Sequence, residues 1–564
     1  MKPNKLIHKG ALRVGAISLL LAFASGIEAT HQAPPTRSDV IDQLRLALAK
    51  PEGARRTDVD TRLAALYAAR NFQPLWTSRH DEQVRINKLR ERLQNADDDG
   101  LDPRRYELEA LDSEHTTATA LALADMAATR AYVAFLLDLH ASSKEAIAKR
   151  HPSARKRSLK DLTGALTAAA EADDLEAHLA RIGPQHHIYQ GMRTALARYR
   201  TLARAGGWSR LPIGPILKPG MEHRQILTLR ERLFASGDLV DAELDSELYD
   251  KELQSAVEVF QARHGLNVDG HVGPNTRSAL NIDVEKRIRQ LVINLERARW
   301  LPVELGNTFV MVNIPGYRLN AFEDGYLALD MAVIVGRRQR NTPMYSGELE
   351  WMEFNPYWGI PDSIARQDIL PKLRENPSYL EGLRVYTKGQ SYPYVELDRY
   401  GIDWSGVVEA DFPYYFRQDP GPGNALGQVK FLFRNPHNVY LHDTPNRSLF
   451  AHTRRAFSSG CIRLGEPLKM AQFMLRGESQ EWDQSRIDKT LEEGKNVRLT
   501  LARKVAVHLV YHTAWLSDDG RVQFRADIYK KDESLAKFVN SERFKPELDA
   551  AHQAFAGGGA RQDI

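Results

Sequence analysis

The spacing of apolar residues changes near residue 307, and this change limits the folds open to the chain. Upstream, apolar residues recur at helical intervals across 62–70, 121–139, 159–182 and 285–300. Downstream, 307–317, 327–335 and 347–358 alternate as strands do. At 564 residues the chain is too long for one core. The switch therefore predicts a multidomain α+β protein, helical in its first half and mostly β after 307. The 43% hydrophobic and 27% charged content is that of a soluble globular protein. A net charge of +4 with interspersed signs gives no argument for nucleic acid.

Residues 1–29 read as a secretory signal. Lys2, Lys5, Lys9 and Arg13 precede an apolar run over 14–24, with small residues at Ala24 and Ala29 as alternative cleavage points. The run is shorter than the roughly 20 residues that span a bilayer. A retained signal would tether the protein to the membrane. No other segment is expected to cross one. Residues 30–211 are expected to form a helical scaffold, with a turn at 96–103. The tail over 555–560 is expected to lack order.

Residues 212–283 form a separate small unit. Val257, Phe260 and Leu266 make an apolar face, Gly265 closes a helix, and Pro274 opens the next one just after Gly273. A linking helix is expected over 284–306, a β domain over 307–505, and a final strand and tail over 506–564. Residues 362–411 interrupt the strands and carry Tyr379, Tyr386, Tyr392, Tyr394 and Trp404. This insertion is either a helical lid or a surface elaboration.

Cys461 is the only cysteine, and His442 lies upstream across a loop. A thiol becomes a useful nucleophile when a base takes its proton. A lone cysteine is otherwise a small buried hydrophobe. An exported protein with one unpaired thiol favours a working residue. Gly460 allows a sharp turn before the thiol, and such a turn aims the N–H groups of Gly460 and Cys461 at one point. Tyr440, two residues before His442, shares its face of the strand. His508 and His512 lack a third ligand partner, so no metal site is expected.

Residues 440–463, with His442 followed by Ser458-Ser459-Gly460-Cys461-Ile462-Arg463, resemble the signature of the YkuD-type L,D-transpeptidases. Many members of that family have His where Ser459 stands. The serine form, together with Tyr440-Leu441-His442-Asp443-Thr444-Pro445, resembles the large Gram-negative YcbB-type subgroup. Residues 255–280 resemble the peptidoglycan-binding module, a three-helix fold that serves as a binder or as a spacer. The resemblance implies a β-sandwich catalytic domain with a lid, a periplasmic location, and no metal or organic cofactor. It implies a tetrapeptide donor stem, a diaminopimelate acceptor and 3→3 cross-links. A lipoprotein lysine or water, giving a carboxypeptidase or endopeptidase, would use the same first step. Carbapenem inhibition is also implied. A wall-binding protein without catalysis is the remaining alternative. Cys461 is expected to attack as nucleophile and His442 to act as base, oriented by a backbone carbonyl rather than by the Asp443 carboxylate. Gly460 and Ser459 are expected beside the oxyanion and substrate. Arg463 is expected either to bind a substrate carboxylate or to brace the loop.

Overall fold

A computed structural model describes residues 35–49, 58–77, 82–111, 116–140, 162–240, 244–302, 304–388, 395–476, 478 and 482–539. The signal, the start of the 159–182 helix, Tyr392, Tyr394 and the tail lie outside the described residues.

The scaffold packs helices Arg37–Leu48, Glu82–Gln94, Ala118–His140, Leu162–Glu171 and Leu175–Arg181 around one core, from Val40 to Leu179. The stretch Ala118–Leu139 is long and apolar enough to cross a membrane, contrary to the sequence expectation. It is mostly buried as the central helix of this core, which accounts for its composition. Its Asp125 is fully buried. The carboxylate accepts from the N–H groups of Leu75, Trp76 and Thr77 at 3.0, 2.7 and 2.9 Å, and from the Tyr67 hydroxyl.

Helix His187–Arg204 does not join that core. Tyr189, Met192, Leu196 and Tyr199 pack with helix Val284–Ala298 into the core of the β domain, so the expected scaffold boundary at 211 falls too late. The expected linking helix likewise belongs to the β domain. The turn over 96–103 does more than connect helices. Asp99 accepts from Tyr189 at 2.9 Å and pairs with Arg92 and Arg193, fixing the scaffold to the core of the β domain.

The small module is a three-helix unit of Gln225–Ala235, Lys251–Arg263 and Pro274–Leu280. Val257 and Phe260 are fully buried, Leu266 is partly so, and Asp250 caps the second helix. Arg263 donates to the Val522 carbonyl at 3.2 Å, and Arg525 to the Arg263 carbonyl at 2.8 Å. These bonds hold the module against the β domain.

The large sheet that follows residue 307 runs β11-β3-β12-β10-β9-β4-β13-β1-β2. Its strands are β1 Thr308–Asn313, β2 Arg318–Glu323, β3 Tyr326–Gly336, β4 Tyr345–Phe354, β9 Val429–Phe433, β10 Leu441–His442, β11 Ala456–Ser458, β12 Ile462–Leu464 and β13 Val497–Val510. β2 also pairs with β3, so the sheet closes on itself where a sandwich of two separate sheets was expected. The expected break at 505 cuts through β13, which pairs with β4 and β1 along its length.

The insertion also differs from expectation. It is built on a sheet of its own, β5-β8-β6-β7, from β5 Trp358–Ile360, β6 Leu383–Thr387, β7 Glu396–Leu397 and β8 Tyr414–Gln418. Helical turns cover a separate core of Ile369, Leu373, Val385, Trp404 and Phe416. It therefore extends from β5 to β8, beyond 362–411 at both ends. The β5–β8 and β6–β8 pairings join residues far apart in sequence, so local periodicity reads the segment as helix and turn.

Candidate active site

The chemistry-bearing residues lie on two adjacent short strands. β10 and β12 run parallel, with Leu441 opposite Ile462 and His442 opposite Arg463. The Ile462 N–H donates to the Tyr440 carbonyl at 3.0 Å, which continues the pairing back to Cys461. Successive side chains on a strand face opposite ways. Leu441 and Ile462 point into the core and are fully buried. Each contributes roughly 1.5–3 kcal/mol of burial that pins the register. Tyr440, His442, Cys461 and Arg463 consequently share the other face.

His442 is buried, and its Nδ1 hydrogen-bonds the backbone carbonyl of Asp443. A carbonyl only accepts, so Nδ1 carries the proton and Nε2 keeps the lone pair. The Asp443 carboxylate is engaged elsewhere, by the Gln428 N–H at 2.9 Å and by Arg447 at 3.1 Å. Burial, aided by the Arg463 charge, pushes the imidazole down to about 3. The resting ring is neutral.

Cys461 is half-buried. Burial pushes the thiol up from its ordinary value. The Tyr440 N–H and hydroxyl, then Lys430 and Arg463, act in the other direction. Its resting form is the neutral thiol. The Tyr440 hydroxyl also receives the Trp358 indole N–H. Lys430 lies opposite His442 on β9, with its ammonium 5.0 Å from the Tyr440 ring centroid. Trp358 and Lys430 were not identified from the sequence, because only strand pairing and the insertion bring them here.

Gly460 has φ +122°, a conformation that L side chains rarely adopt. A Cβ there would meet nothing closer than 3.8 Å, so backbone angle rather than space requires glycine. The turn does not present both expected donors. The Gly460 N–H donates to Ser458 Oγ at 3.1 Å, and that hydroxyl donates to the Cys461 carbonyl at 2.5 Å. The Cys461 N–H has no protein acceptor among the described residues. Ser459 is exposed and receives a hydrogen bond from Arg340 at 3.0 Å. The buried Arg463 Nε has no acceptor among the described residues. A cavity of about 790 Å³ opens on the Asp443 side of the histidine strand but is lined by neither His442 nor Cys461.

A closed β domain with an inserted subdomain, a glycine-turned cysteine and a buried histidine on neighbouring strands defines the class. The chain carries a YkuD-type L,D-transpeptidase catalytic domain. Residues 307–487 match the family model described as "L,D-transpeptidase catalytic domain". Residues 61–196 match one described as "Scaffold domain", and 222–280 one described as "Putative peptidoglycan binding domain". A curated relative from Haemophilus influenzae, named "Putative L,D-transpeptidase", is 34% identical over 254 residues, covering 44% of this chain and 49% of the relative. The chain thus spans about half the length of the curated relative it matches. Solved L,D-transpeptidase structures from Xylanimonas cellulosilytica and Stackebrandtia nassauensis align at 16% and 13% identity. They cover 53% and 52% of this chain, and 98% and 94% of their own, with TM-scores of 0.16 and 0.20.

Proposed function

We propose that the protein is a periplasmic L,D-transpeptidase of the YcbB type that forms 3→3 cross-links in peptidoglycan. The reading rests on one observation: Cys461 and His442 share a face of two paired strands, with the imidazole held in the tautomer that leaves Nε2 basic.

The donor is a tetrapeptide stem with a terminal D-alanine. His442 Nε2 takes the Cys461 proton as the sulfur bonds to the carbonyl carbon of the third residue. The Cys461 N–H stabilises the developing oxyanion, assisted by the Tyr440 hydroxyl once sulfur no longer occupies it. The carbon–nitrogen bond then breaks, and His442 returns the proton to the departing D-alanine amine. A thioester remains. The side-chain amine of a neighbouring diaminopimelate attacks it, His442 takes the amine proton, and Cys461 leaves with that proton. Arg463, with its buried nitrogen unengaged, binds a stem carboxylate.

The resting pair is neutral, so the proton moves only when substrate is bound. A substrate carboxylate raises the basicity of the imidazole, and the exclusion of water, which by itself lowers it, strengthens that pairing. The module at 222–280 holds the wall near the site, and an uncleaved signal would keep the protein at the membrane. Carbapenems should acylate Cys461. Incubation with tetrapeptide stems, with products identified by mass, tests the reading. Cross-linked dimers are expected, while tripeptide stems alone would assign a carboxypeptidase. Unchanged stems would leave a wall-binding protein.

A further inference from the structure

The β3–β4 loop carries a contact network that the mechanism does not use. This loop is fixed beneath the cysteine turn. Arg337 N–H donates to the Ser458 carbonyl at 2.9 Å, and the buried Thr342 hydroxyl donates to the Gly460 carbonyl at 2.8 Å. At Gly336 an added Cβ would lie 2.1 Å from the Arg340 carbonyl, so the tight loop needs glycine.

From this anchored loop the Arg340 side chain reaches in two directions. Nη1 donates to Ser459 Oγ at 3.0 Å and pairs with Asp368. Nη2 donates to Gln367 Oε1 at 2.6 Å. Arg337 adds a second bond to Asp368 at 3.2 Å. Gln367 and Asp368 belong to the inserted subdomain, in a π-helical turn over Ala365–Ile369. Such turns occur mostly as single interruptions of α-helices and are frequent at functional sites. The Arg340 side chain is only 16% exposed, so its pairing is less screened by solvent than a surface ion pair.

We propose that Arg340 is a positioning residue that latches the inserted subdomain, through Asp368, to Ser459 in the nucleophile turn, and so governs access to Cys461. Exchange between open and latched states changes how freely water and reagents reach the sulfur. The consequence for water rests on the acyl-transfer reading, but the accessibility of the thiol does not.

Cys461 is the only cysteine in the sequence, so its modification can be followed without background. The rate of alkylation by iodoacetamide is measured on the full-length protein for wild type, R340Q, R340K, D368N and the R340Q/D368N pair. R340Q and D368N should each raise the rate roughly five- to tenfold, and the pair no more than the stronger single change, since linked residues are non-additive. R340K, which keeps the charge, should stay closer to wild type. E396Q serves as a control, because it removes an ion pair to Arg384 that is half-exposed and internal to the insertion. Its rate should match wild type. Rates unchanged in R340Q and D368N would overturn the latch. So would additive effects, or an equal rise in E396Q. With stems, the open variants should shift product from cross-linked dimer to trimmed stem. If no variant, including wild type, processes stems but the alkylation pattern holds, the catalytic reading fails and the latch stands.

Discussion

Asp125 in the scaffold and the His442–Cys461 pair in the catalytic domain are both polar groups set against packed hydrocarbon, yet they are built in opposite ways. Three backbone N–H groups and a phenol surround the Asp125 carboxylate, which leaves little bonding capacity unused. On the catalytic strands, the Cys461 N–H and Arg463 Nε have no protein acceptor among the described residues, and the imidazole and thiol are both held neutral by burial. Unmatched buried groups cost stability. On the catalytic strands, bound substrate would complete them. A saturated buried carboxylate reads as structural, and an unsaturated cluster on a shared strand face reads as chemical.

The comparison predicts effects of different size and kind. The largest is on turnover. Cys461→Ala should abolish both cross-linking and stem trimming while leaving the thermal midpoint within a few degrees of wild type, checked by product analysis beside a melting curve. His442→Gln should lower the rate of acylation by about 10²–10⁴, the usual contribution of a positioned general base. Asp125→Ala should do the reverse. It strands three buried N–H groups and should cost on the order of 3 kcal/mol or more of scaffold stability. Denaturant unfolding should register this loss, and iodoacetamide labelling of Cys461 in the folded fraction should not change.

Acid should sharpen the contrast. His442 titrates at about 3 in the folded protein and near 6.5 when unfolded. Between these values the unfolded chain binds a proton that the folded chain does not. Stability from this residue is therefore complete above about pH 6.5 and falls as pH drops toward 3. His512, also pushed down to about 3 by burial, acts in the same direction. Unfolding midpoints measured from pH 8 to pH 4 should decline, and the decline should be smaller in His442→Gln. The smallest expected effect is at Ser458→Ala, which removes the bridge between the Gly460 N–H and the Cys461 carbonyl. It should cost about 1 kcal/mol of stability and lower turnover modestly.

Much of the site is legible in sequence because its residues are close along the chain and obey strand alternation. Tyr440 and His442, and Cys461 and Arg463, are each two residues apart, so they fall on one face of their strands. The backbone orienter of His442 follows from the same alternation, which sends the Asp443 carboxylate to Gln428 and Arg447. The fate of the Gly460 N–H was not legible, because Ser458 competes for it within the turn. Arg340, Asp368, Lys430 and Trp358 carry no local signature. Lys430 arrives through β9 pairing, Arg340 through the β3–β4 loop, and Trp358 and Asp368 through a subdomain closed by β5 and β8 from its two ends. The scaffold boundary was missed for a related reason. Helix His187–Arg204 follows the scaffold helices directly in sequence, and its burial partners assign it to the catalytic core.

The central claim is that Cys461 becomes acylated by a stem peptide with His442 as base. Intact-protein mass spectrometry after brief mixing with a tetrapeptide stem, followed by peptide mapping, tests this directly. The account predicts a mass increase equal to the tripeptidyl acyl group, located on Cys461 and absent from Cys461→Ala. An unmodified cysteine in protein that is visibly converting stems would contradict it.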